Sequence, residues 1–269
     1  MKRVASAAIM LLTLGLAIWA PEPTYFVALT VLVALAALRE YILLAEKAGI
    51  SFYKLVGYTA TIAYVYAFSS SQQHLVSPIT TLLLIGTMLA ALIDNWKKEQ
   101  LSQALASASG TLLGVLYLGF LPAHLTAVRT SGGAVKGAQL LSLFFLVIAA
   151  SDSGAYFVGR LLGRHKLAPK ISPGKTVQGA FGSLFASIAA ALLCRYLFYQ
   201  ELPLTHALVL GGIFSLIGQA GDLFESLLKR AAGAKDAANL IPGHGGILDR
   251  LDSVAFNAPL LLYYMIFFT

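Results

Sequence analysis

Apolar residues fall in runs of sixteen to twenty-three positions that end at short polar, glycine or proline breaks, the pattern of helices that cross a bilayer. Spanning the hydrocarbon core takes about 20 such residues. Nine runs qualify: Val4 to Ala20, Tyr25 to Ala45, Phe52 to Ser69, Pro78 to Ile93, Leu101 to Leu121, Ala138 to Phe157, Val177 to Tyr199, Ala207 to Leu228 and Leu251 to Phe268. The expected fold class is all-α, a polytopic integral membrane protein of about nine transmembrane helices. The first run follows Met1-Lys2-Arg3, but Ile18 and Ala20 before Pro21 make a poor signal-cleavage site, so it reads as a retained helix.

Composition agrees. Hydrophobic residues make up 58% of the chain and charged residues 12%, with a mean hydropathy of +0.78, which excludes a soluble globular fold. The lone Cys194 lies in the seventh run and excludes an intramolecular disulfide or a thiolate metal cluster. No internal repeat, soluble domain or nucleic-acid motif is visible.

The net charge of +7 matters through its placement, because basic residues are retained on the cytoplasmic side during insertion. With a cytoplasmic amino terminus, fifteen of the 19 Lys and Arg residues fall inside. Only Arg129 and Lys136 fall in outside loops, and Arg39 and Arg195 lie within spans. Residues 1–137 carry short connections and few charges, as helices that shape a cavity or a subunit contact would. Residues 138–269 hold two basic cytoplasmic segments, Gly159 to Thr176 and Lys229 to Leu248, and with them the chemistry.

Asp222, Glu225, Ser226 and Lys229 repeat at i, i+3, i+4 and i+7, so one stripe of a helix presents all four. A carboxylate as deep in a span as Asp222 calls for a cation. Glu225 and Lys229 could equally form an ordinary intrahelical pair. After Pro242, the turn Gly243-His244-Gly245-Gly246 frees backbone for close approach to an anion, and amides at the helix start beyond it favour phosphate. Asp249, Arg250 and Asp252 stand at the mouth of that helix, where carboxylates could also serve as caps. Asp222 and Asp249, from neighbouring helices, match what magnesium takes from a protein when substrate phosphates supply the rest. In the other basic segment, Arg160, Arg164, Lys166, Lys170 and Lys175 could anchor lipid head groups, but Ser172-Pro173-Gly174-Lys175-Thr176 sets hydroxyls and an ammonium just before a helix start. Asp152 adds an acidic group nearby, suited to orienting a basic side chain. Arg39 with Glu40, and Asp94, read as structural pairs or caps. His74, His124 and His206 share no ligand spacing and read as solvated surface residues.

Ser226, Lys229-Arg230, Lys235-Asp236, Pro242, His244-Gly245-Gly246, Asp249-Arg250 and Asp252 stand at the spacing of the phosphatidate cytidylyltransferase signature, and the chain resembles that family there. Asp152, Gly159-Arg160, Gly163-Arg164-His165-Lys166, Ser172-Pro173 and Lys175-Thr176 resemble its second block. Gly174 and Gln178 depart from the lysine and glutamate that many members carry. The resemblance implies CTP + phosphatidic acid → CDP-diacylglycerol + pyrophosphate, with Mg²⁺ and room for a monovalent cation such as K⁺. It implies Asp222 and Asp249 as metal ligands, and Asp222, Asp249, Lys229 and Arg250 as catalytic residues. Ser172, Lys175, Thr176, Arg160, Lys170, Ser226, Arg230, Lys235, Asp236, His244, Gly245 and Gly246 would bind substrate. It further implies a homodimer in the inner, cytoplasmic membrane, with the lipid bilayer and no nucleic acid as partner and the active site facing the cytoplasm. A CTP-dependent polyisoprenol kinase is the nearest rival, and a lipid or anion transporter the non-enzymatic one.

Overall fold

The computed structural model describes residues 2–70, 72–96, 101, 103–234 and 245–269, with side chains described from residue 8. Ten α-helices account for most of it: α1 Lys2–Trp19, α2 Thr24–Lys47, α3 Lys54–Ser69, α4 Val76–Asn95, α5 Ala104–Val115, α6 Leu121–Ser131, α7 Ala134–Leu162, α8 Val177–Leu197, α9 Leu204–Ala231 and α10 Leu248–Phe268. A π-helical turn, Leu116–Phe120, joins α5 to α6 without a break, so the two run as one span. Among the described residues, seven helices are long and apolar enough to cross a membrane, the continuous α5–α6 unit counted once. The 16-residue α3 is shorter than these seven, and α1, Lys2–Trp19, has its side chains described only from Ala8. A helix stands at each of the nine expected positions, and the architecture is that of a helical polytopic membrane protein.

Among the described residues, one element is not helical. The segment expected as a cytoplasmic loop folds into an antiparallel hairpin, β1 Lys166–Ala168 with β2 Ser172–Thr176. Thr176 ends the hairpin and starts the next helix: its extended backbone and its Oγ, which accepts from the Gly179 amide at 3.1 Å, form the N-cap of α8.

Lipid is as apolar as leucine, so helices in a bilayer associate through close packing and polar contacts rather than hydrophobic drive. The second half uses both. α7 and α8 touch through Gly154 and Gly182, where added side chains would meet the opposing backbone. At Gly221 of α9 a Cβ would run into the carbonyl of Asp252 on α10, so the two backbones are nearly in contact at the level of the acidic residues. Hydroxyls tie three helices together: Ser151 to Ser183 at 2.6 Å, and Ser183 to Ser215 at 2.9 Å.

Further sequence expectations change, and Lys136, expected in a loop, lies in the first turn of α7. His124 lies inside α6 and is 1% exposed, its Nδ1 within 2.9 Å of the Phe120 carbonyl and its ring against Phe68 and Phe120, because an amphipathic imidazole can satisfy its polar edge on the preceding turn. Arg129 is not in a loop; it is buried near the end of α6 and donates to the carbonyls of Ile18 and Ala20, which finishes the exposed end of α1. His74 is exposed as expected, and His206 is half-buried against the Tyr264 hydroxyl.

Candidate active site

The two basic segments and the acidic stripe converge on one cavity of about 500 Å³ between α7, α8, α9 and α10. Helix α9 supplies Asp222, Glu225 and Lys229 from the predicted stripe, α10 supplies Asp249, Arg250 and Asp252, and the hairpin supplies Lys175 and Thr176. Arg160 and Asp152 complete the charged wall from α7. Asp152 is exposed on that wall.

Carboxylates come together where Gly221 lets α9 and α10 approach. Oxygens of Asp222, Glu225 and Asp252 lie within 4.8 Å of one another. Hard divalent cations sit roughly 2.0–2.6 Å from their oxygens, so a group of this span can close on one ion with small adjustments. Glu225 is 1% exposed, with Oε2 2.6 Å from Lys229 Nζ and Oε1 buried with no hydrogen-bond partner among the described residues. An orphan carboxylate oxygen inside an acidic group is costly alone and suits a cation. The donor set therefore fits a magnesium-like ion. Asp249 faces the same cavity from a different bonding position. Its Oδ1 takes Lys229 at 2.7 Å and its Oδ2 accepts from the Gly246 amide at 2.8 Å.

Lys229 thus bridges Glu225 and Asp249, so the intrahelical pair is real and is also part of the site. Asp222, which has no basic neighbour on its own helix, finds one across the chain: Lys175 Nζ lies 2.6 Å away. Among the described residues, five carboxylates and four cationic side chains line the cavity. Counted as formal charges the acidic groups outnumber the basic ones by one, so added positive charge would help a polyphosphate enter.

The remaining sequence-predicted residues lie around this centre. Ser172 is half-buried in β2 and Lys170 exposed in the hairpin turn. Arg230 is exposed and reaches the hairpin, its Nε 3.3 Å from the Ile171 carbonyl. Ser226 is half-buried on α9, outside the cavity lining. Gly245 adopts φ of +80°, and a Cβ there would crowd Asp249 Oδ2. Lys235, Asp236 and His244 lie outside the described residues.

The phosphate-ready amides at the start of α10 are already taken. Gly246 gives its N–H to Asp249, while Ile247 and Leu248 give theirs to the carboxylate of Glu40 at 3.0 and 2.8 Å. Glu40 comes from the first half of the chain, in α2, and binds across the fold rather than in a local pair; its lone sequence signal is a carboxylate within an apolar run. The first half also brings Tyr117, from the π-helical turn, edge-on to Phe224 and Phe256, which flank the acidic groups in sequence. Ser183 and Gln219 line the cavity floor and were invisible in a sequence read for charge. Of the two departures, Gly174 faces open space, where a Cβ would meet nothing within 4 Å, so a longer residue fits there too. Gln178 binds the amides of Arg164 and His165 through Oε1, at 3.0 and 3.2 Å, and the His165 ring through Nε2. It holds the chain ahead of the hairpin.

Comparison with known proteins is consistent across the whole chain. Residues 1–268 match the model of the cytidylyltransferase family. A phosphatidate cytidylyltransferase of Synechocystis is 34% identical over 90% of this chain and 88% of its own length. Proteins of the same name from Staphylococcus haemolyticus and Staphylococcus saprophyticus are 34% identical over 86% of this chain and 88% of their own, and 42% identical over 57% of each, respectively. With an extended family match, relatives that align over nearly the full length, and charged residues meeting in one cavity between helices, the chain belongs to the cytidylyltransferase family.

Proposed function

We propose that this enzyme transfers CMP from CTP to phosphatidic acid, releasing CDP-diacylglycerol and pyrophosphate. The observation that carries the reading is the convergence of Asp222, Glu225 and Asp252 within 4.8 Å beside Lys175, Lys229 and Arg250 in one cavity reached from the basic segments. Asp222, with Asp252 and Glu225, would hold Mg²⁺, and Asp249 would join it by giving up Lys229 or the Gly246 amide. When bound, a divalent ion would polarise the α-phosphoryl group and offset charge on the leaving pyrophosphate.

The chain's own residues do the rest. Lys175 and Arg160, on the hairpin side, and Lys229 and Arg250, on the α9 and α10 side, would grip the triphosphate and counter repulsion between the two anionic substrates. An oxygen of the lipid phosphate forms the new bond to the α-phosphorus of CTP as the bond from that phosphorus to the β-phosphate bridging oxygen breaks, and the electron pair leaves with pyrophosphate. A phosphate monoester is largely ionised near neutral pH, its second pKa being about 6, so no strong general base is required. Positioning carries the catalysis.

The charged end of the bundle supports a site that faces the cytoplasm, with the amino terminus on the same side. Lys47, Lys54, Lys175, Lys229, Arg230 and Arg250 share the end where Glu40 meets α10, whereas Arg129 and Lys136 lie at the other, Lys136 donating to the terminal carbonyl of Thr269. In this reading α1 and α3 complete nine spans, the protein resides in the inner membrane, K⁺ can accompany Mg²⁺, and the chain works as a homodimer. Purified protein in lipid should release pyrophosphate only when phosphatidic acid, CTP and Mg²⁺ are all present. Equal release with ATP or GTP, or release without the lipid, would refute the assignment.

A further inference from the structure

We propose that Glu40 is a positioning residue for the cation site, a buried carboxylate from α2 that fixes the start of α10 and, through it, Asp249 and Asp252. The inference rests on the reading of the acidic group as a cation site.

Glu40 is fully buried, yet it sits more than two hundred residues away in sequence from the groups it binds. Its two oxygens take the amides of Ile247 and Leu248, two of the donors that a helix start leaves without intrahelical partners. The next residue along α10 is Asp249, and one turn from Leu248 lies Asp252. Gly246 sits directly over the Glu40 carboxylate, so closely that an added Cβ would collide with it, and the same residue donates its N–H to Asp249 Oδ2. Asp249 is therefore held by Lys229 on one side and by a backbone that Glu40 pins on the other. A negative group at a helix start is also favoured by the helix dipole, and the position it takes is the one a substrate phosphate would otherwise claim. Glu40 thus does two things: it sets the register of the acidic wall, and it keeps the α10 amides from competing with the cationic side chains for phosphate.

Groups that orient metal ligands without touching the metal typically change metal affinity or activity by about 10–100-fold when removed. The test uses the full chain, purified in detergent, as wild type, Glu40→Gln and Glu40→Ala. Glutamine keeps the shape and one acceptor oxygen but sets an NH2 group against an amide N–H. Mn²⁺ affinity is read by electron paramagnetic resonance without substrate, and turnover is titrated with metal. Expected is Mn²⁺ binding about tenfold weaker in both variants, with the metal concentration for half-maximal turnover raised by the same factor and the CTP KM changed less than about threefold. A partly unfolded population would lower turnover without moving either metal constant. Unchanged metal affinity in Glu40→Gln overturns the proposal, whether or not turnover falls, and that variant decides the matter if Glu40→Ala does not fold. Wild-type protein that binds no Mn²⁺ overturns the cation-site reading and the proposal with it, whereas wild-type binding lost in Asp222→Asn upholds the site and leaves the Glu40 variants to judge its positioning.

Discussion

Asp222→Asn should lower turnover by about 10²–10³-fold while leaving the helices intact, a loss of the size seen when one preorganised charge partner of a transition state is removed. Asparagine matches aspartate in shape, so packing against α10 persists, but the charge that pairs with Lys175 at 2.6 Å and joins Glu225 and Asp252 is gone. Two consequences reinforce each other. The cation would lose one of three converging oxygens, and Lys175 would be released from the carboxylate that now fixes its ammonium beside the cavity. The fold cost should be small, because the Asp222 side chain is 37% exposed and its pairing is correspondingly screened. Circular dichroism and detergent elution like those of wild type, alongside the lost turnover, are the expected result; near-normal turnover at ordinary magnesium would remove Asp222 from the site.

Gly221→Ala should be nearly as damaging without touching a charge. The added Cβ would press on the carbonyl of Asp252 and lie 3.2 Å from the Phe256 ring, so α9 and α10 must part at the level where their carboxylates meet. Overpacking of this kind costs about 1–3 kcal/mol of stability. A displacement of about 1 Å at a reacting centre can cost about 10²-fold in rate, which is the expected fall in turnover. Gly212→Ala on the same helix is the control, since a Cβ there meets only Leu184 Cδ1 at 4.0 Å and should leave turnover within about twofold. Equal effects from the two substitutions would show that the close approach of α9 and α10 does not set the geometry.

Much of the fold was legible because bilayer thickness imposes a length on apolar runs, and helix period then puts Asp222, Glu225 and Lys229 on one stripe. The hairpin was not, because its strands are short and read as charged loop, and its pairing of Lys166 with Thr176 depends on a turn, not on hydrophobic alternation. Partner choice was legible only within a helix. Glu225 with Lys229 could be read at i+4, whereas Lys175 with Asp222 and Glu40 with the α10 amides join segments that only tertiary packing brings together. The glycines at 154, 182 and 221 carry the same lesson: in sequence they are small residues inside apolar runs, and in the bundle they are the places where helices nearly touch.

The fate of the α-phosphorus of CTP tests the central claim most directly. Purified protein in phosphatidic-acid vesicles with magnesium should move radiolabel from the α-position of CTP into the lipid fraction, with γ-label leaving entirely as soluble pyrophosphate. Lipid labelled from the γ-position alone would contradict the account and make the cavity that of a CTP-dependent kinase.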